Sequence, residues 1–177
     1  ILTVMVFSAL IVLSSVFLRI PISIPTTWIT VVAFIYLSPI FLYSISTMVR
    51  PWIVIVICFP SLVLGEWLWC GVYGCAGELP VNVIFVLSSW GIGCFLISLF
   101  RSRNEIVAML IGGLWGFPGL LIPALGYYGL ILNWNPLYIV VYSLLSMIFN
   151  LVFIPVSLLL NRLLRRILKV QYLDELL

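Results

Sequence analysis

"RPWIVIVICFPSLVLGEWLWCGVYGCAGELP", Arg50 to Pro80, decides how this chain is read. It opens on a cation beside a proline. From Trp52 to Tyr73 its one charged residue is Glu66. An apolar run of ~20 residues is what a helix needs to cross the hydrocarbon of a bilayer. The run then breaks at glycines and ends among Glu78, Cys70, Cys75 and several aromatics. The stretch therefore reads as a membrane span with a basic door on one side and a polar, aromatic mouth on the other.

The rest of the chain repeats this character. Of 177 residues, 65% are hydrophobic and 7% charged. A soluble domain carries roughly a quarter charged residues. Lipid offers the backbone no hydrogen bonds, so spans are helices or closed barrels. These runs are apolar on every side instead of alternating, so helices are expected. We read one domain over residues 1–177, an all-α integral membrane protein with six transmembrane helices, multi-pass in the cell membrane. The segments are Ile1–Leu18, Trp28–Ser46, Trp52–Tyr73, Pro80–Phe100, Ile106–Leu132 and Pro136–Leu160. The first lacks the basic start and small-residue cleavage site of a signal peptide, so it reads as a span.

Charge orients the bundle. Arg50, then Arg101 and Arg103, then Arg162, Arg165, Arg166 and Lys169 fall on one face if six spans alternate. The positive-inside rule makes that face cytoplasmic, with both termini inside (N-in/C-in). Arg19 is the basic residue left outside. Residues 160–177 read as a basic amphipathic tail whose arginines meet anionic lipid headgroups; a docking handle for a cytoplasmic partner is the other reading.

What is missing narrows the chemistry. There is no histidine, which removes Ser–His dyads and His-ligated zinc. No aspartate lies in a span, so an intramembrane aspartyl protease is excluded. No P-loop signature is present. We expect no enzyme, no cofactor, no resident metal and no nucleic-acid partner.

The polar and aromatic residues gather toward the outer side. At ~1.5 Å per residue, Glu66 lies ~10 Å short of its span's outer end. An acid inside a span is by default a hint of function. Glu66, Cys70 and Tyr73 share a helical face, with Trp69 close by. Asn82, Phe85 and Ser89 share another. Tyr138, Tyr142, Ser146 and Asn150 recur at four-residue intervals on a third. The three stripes are expected to converge on one outward-facing cavity, with Arg19 near it. Structural alternatives stand beside each reading. Glu66 protonated or paired with Arg19 holds helices together; the tyrosine–asparagine row makes interhelical hydrogen bonds; Trp28, Trp52 and Trp134 anchor at the interface. Gly112 and Gly116 form a G-x-x-x-G for close helix approach. Cys70 and Cys75 face an oxidising side where a disulfide can persist, or one of them offers a thiol to a metal-containing substrate.

The proline-rich loop "RIPISIP", the "LGEWLW" ending the third segment, "ELPVNVIFVLSSWGIGCFLISLF" and the closing "FNLVFIPVSLLLNRLLRR" together resemble the substrate-binding S component of energy-coupling factor (ECF) vitamin transporters. The likeness covers nearly the whole chain and is one of layout. It implies a vitamin or similar micronutrient held near the outer surface under a gating first loop. It also implies a transmembrane T component and two cytoplasmic ATPases as partners. A cobalamin-specific branch of that family ligates cobalt through a cysteine near the third outer loop, the region of Cys70 and Cys75. The alanine motif by which many S components meet the T component is absent from "FSALIVLSSVFL". Two other function classes fit the composition: a small proton-coupled transporter using Glu66, and a membrane sensor or scaffold with no solute.

Overall fold

In the computed structural model, residues 2–25, 30–74 and 76–168 are described. The first helix, α1 (Leu2–Phe17), has 16 residues. Arg19–Pro25 (β1) and Thr30–Tyr36 (β2) then form an antiparallel pair, in register from Arg19 opposite Tyr36 to Pro25 opposite Thr30. Pro21 and Pro25 forbid a helix in the first strand, and "TVVAFIY" is rich in the β-branched and aromatic residues that favour a pleated ribbon. Ser38–Ser46 (α2) follows, with Pro39 in its first turn.

Four long helices complete the chain: α3 (Pro51–Tyr73), α4 (Leu79–Phe100), α5 (Glu105–Ile131) and α6 (Pro136–Leu168). Their boundaries follow from local chemistry. Arg50 is extended and Pro51 starts α3, where the missing N–H costs nothing. Gly74, at φ 76°, ends that helix in the left-handed conformation glycine allows, its N–H donating to Cys70 O. The Asn104 side chain caps α5 by accepting from the N–H groups of Ile106 and Val107. Asn135 and Pro136 open α6 in the same manner.

The expectation of six spanning helices is corrected here. Among the described residues, only the four long helices have the length and apolarity to cross a membrane. At ~1.5 Å per residue α1 extends ~24 Å, short of a ~30 Å hydrocarbon core. The segment Trp28–Ser46 divides into a strand and a nine-residue helix. The six-span count that placed both termini inside therefore no longer applies. The grouping of the arginines survives, because four alternating crossings still collect Arg50, Arg101, Arg103, Arg162, Arg165 and Arg166 at one end. The chain is a multi-pass membrane protein.

That basic end is tied across the bundle. Ser98 Oγ donates to Val49 O, and Ser44 Oγ donates to Ser157 O at 2.8 Å. Arg165 pairs with Glu105, and Asn161 Nδ2 donates to the same carboxylate at 3.2 Å. Around these ties Tyr43, Ile45, Met48, Ile57, Cys58, Cys94, Ile97 and Met109 are buried.

Helix α5 packs on two sides through different glycines. A Cβ at Gly112 would lie 2.4 Å from Ile97 and 2.8 Å from Gly93 O on α4. One at Gly116 would lie 2.5 Å from Asn150 Nδ2 on α6. The G-x-x-x-G therefore does not act as one contact face: its first glycine serves α4 and its second serves α6.

Candidate functional site

At the end opposite the arginines the helices separate around a cavity of 340 Å³. Two irregular turns shape it. Helix α4 widens into a π-turn at Leu87–Gly91, and α5 finishes in another at Leu125–Ile131. Insertions of this kind are frequent at functional sites. They turn Ser89 and Trp90, and then Tyr128, toward the hollow.

One wall is built on an ion pair. Glu66 on α3 meets Arg19, the residue that starts β1, through Arg19 Nη2 to Oε1 and Nη1 to Oε2 at 3.4 Å. Arg19 Nε donates to Ser15 O. The two side chains are 3% and 4% exposed. The guanidinium lies over the rings of Tyr36, at 4.8 Å, and Trp69, at 4.3 Å. Arginine's planar, weakly hydrated head suits this combination of fork pairing and ring stacking. Gly65 makes the approach of α1 possible, since a Cβ there would stand 2.8 Å from Ser15 Cβ.

The facing wall is aromatic. Tyr128 stacks on Trp134 at 4.4 Å and 16°, and Trp134 meets Tyr138 edge to face at 5.3 Å. Phe85 joins through Tyr128 at 5.4 Å, and Tyr142 lines the hollow below them. Trp90 lies at the base, edge to face with Tyr36 at 4.7 Å and donating from Nε1 to Asn150 Oδ1 at 3.3 Å. Glu78 stands at the loop-facing rim with Asn82 near it.

Of the residues predicted from sequence, Arg19, Glu66, Trp69, Asn82, Phe85, Ser89, Tyr138 and Tyr142 line this cavity. Cys70, Tyr73 and Asn150 do not. Cys70 is disulfide-bonded and buried behind the wall, 3.7 Å from Asn82 Nδ2. It has no thiol to offer a metal; Cys75 lies outside the described residues. Tyr73 is 60% exposed and leans on Trp69 at 3.8 Å. Asn150 sits beneath Trp90, two helical turns deeper than Tyr142.

Tyr36, Glu78, Val86, Trp90, Leu120, Ala124, Tyr128, Trp134, Ile139 and Ser146 complete the lining. Trp134, read as an interface anchor, is part of the aromatic wall while remaining 42% exposed. Ser89 Oγ donates to Phe85 O within its own helix. The hydroxyls of Tyr128, Tyr138 and Tyr142 have no hydrogen-bond partner among the described residues. Nor do three or more His, Cys, Asp or Glu side chains gather anywhere among those residues.

No family model, curated protein or solved structure matches this chain.

Proposed function

We propose that the chain is the substrate-binding membrane subunit of an uptake system for a small micronutrient, a vitamin or vitamin precursor. The observation that carries this reading is the 340 Å³ aromatic cavity, open at the end away from the arginines and sealed beneath by packed helices. Small-molecule sites are concave, mostly apolar and largely preformed, with a few oriented polar groups. Here the available groups are Asn82 and three tyrosine hydroxyls, beside a fixed Arg19–Glu66 pair. The positive-inside rule turns the mouth to the exterior. In this reading the β1–β2 ribbon caps the mouth, because its base residues Arg19 and Tyr36 are themselves part of the lining. The resemblance in layout to ECF S components supports a separate T component with two ATPases as the source of energy.

The test is thermal-shift and native mass-spectrometric screening of the purified chain against a vitamin panel. One compound should raise the melting temperature and bind one to one. A well-folded sample that no compound stabilises would refute the reading. Copurification with a T protein and two nucleotide-binding subunits tests the partner assignment separately.

A further inference from the structure

The cavity's charges point to one class of ligand. Three ionisable side chains of formal charge line it: Arg19, Glu66 and Glu78. Among the described residues Arg19 is its one cation, and each of its three guanidinium nitrogens donates, one to Ser15 O and two to Glu66. The guanidinium keeps further N–H donors, but an anionic ligand that drew it away from Glu66 would leave a buried carboxylate unpaired, which is strongly unfavourable. Glu78 is different. It has neither an ion-pair nor a hydrogen-bond partner among the described residues, and it stands in the electrostatic reach of Tyr128. Among the described residues, Glu78 is therefore the one charged side chain of the lining without an ionic partner.

Around it are eight aromatic side chains. Aromatic faces are electron-rich and attract cations within about 6 Å of the ring centre. The protein already uses this force once, holding the Arg19 guanidinium over Tyr36 and Trp69. The opposite wall, with Tyr128, Trp134 and Tyr138, has no cation on its rings among the described residues. Resting on the substrate-binding reading above, we propose that the ligand is a flat organic cation: its ring lies among the aromatics, and its positive charge lies toward Glu78.

The experiment uses the full chain in nanodiscs and three matched probes: N-methylquinolinium, quinoline and a quinoline carboxylate, at mildly alkaline pH. Intrinsic tryptophan fluorescence reports binding. The cation should bind roughly tenfold more tightly than the neutral ring, and the carboxylate least. Glu78→Gln should weaken the cation about fivefold, in line with the loss of one screened charge interaction, and leave quinoline unchanged. Glu78→Lys should abolish the preference for the cation. Glu78 is exposed at the short turn that leads into α4, and its side chain makes no capping hydrogen bond, so these variants are expected to fold. Tighter binding of the neutral or anionic probe, or a cation preference indifferent to Glu78, overturns the charge assignment and leaves the binding-subunit reading standing. If neither these probes nor the vitamin panel bind a folded sample, both fall together.

Discussion

The two ends of the bundle solve opposite problems with the same helices. At the basic end, small residues let backbones touch: Gly93 and Gly112 bring α4 and α5 together, and serine hydroxyls tie α2 to α6 and α4 to the turn after α2. Tyr43, Ile45, Met48 and Val49 have no exposed surface there. At the aromatic end, large side chains hold the same helices apart, and tyrosine hydroxyls face a hollow without partners. Close packing tolerates no change of volume, whereas a cavity lined by unpartnered hydroxyls leaves donors for something else. The difference separates stability from recognition along the length of each helix.

The sharpest way to break this comparison is at the ion pair, which belongs to the aromatic end yet is buried like the core. Glu66→Gln leaves the Arg19 charge uncompensated and should cost ~3–5 kcal/mol, read as a large fall in melting temperature. Arg19→Met combined with Glu66→Met should recover most of it. A proton-coupled carrier predicts otherwise: Glu66→Gln would fold normally and lose transport.

Glycine substitutions come next. Gly112→Ala drives a methyl into Ile97 and the Gly93 carbonyl and should destabilise by ~1–3 kcal/mol, the usual range for overpacking. Gly126→Ala, at the aromatic end, meets nothing within 4 Å, and its melting temperature should stay at or above that of the parent chain. Equal losses at both sites would erase the distinction between the ends.

How much of this was legible in the sequence depended on which physical signal a segment carried. The span Trp52–Tyr73 and the collection of arginines were legible, because apolar length and positive charge act residue by residue. Trp28–Ser46 was misread because hydropathy cannot separate an apolar strand from an apolar helix. The β-branched "TVVAFIY" and Pro39 held the missing signal. The stripe on α6 was right in face but wrong in depth: four-residue spacing aligns Asn150 with Tyr142, and only tertiary packing places Asn150 below Trp90. Trp134 and Tyr128 escaped because a π-turn and a loop, which no periodicity encodes, bring them together. Glu78 was visible as an acid, and its place at the rim needed the fold.

Smaller effects sharpen the comparison further. Glu105 and Arg165 are 29% and 21% exposed at the basic end, so Glu105→Gln should cost under ~1 kcal/mol, as for other partly solvated pairs; a double-mutant cycle measures it. Tyr142→Phe removes a hydroxyl that the protein does not use. Its unfolding free energy should change by no more than ~0.5 kcal/mol, while ligand affinity, measured by titration calorimetry, should fall several-fold.

The π-turn at Leu87–Gly91 has a consequence for how this molecule tolerates change. Such a turn houses one residue more than an ordinary helix would. Deleting Ser88 would let α4 wind regularly, and its two halves would keep nearly their present phase, because the wide turn takes up the surplus residue locally. Gly93 would keep its seat against α5 and Phe85 its side of the helix, while the widened turn that presents Ser89 and Trp90 would be lost. A single surplus residue thus sets the aim of one turn, and a shortened variant would remain a sound bundle with an altered cavity floor.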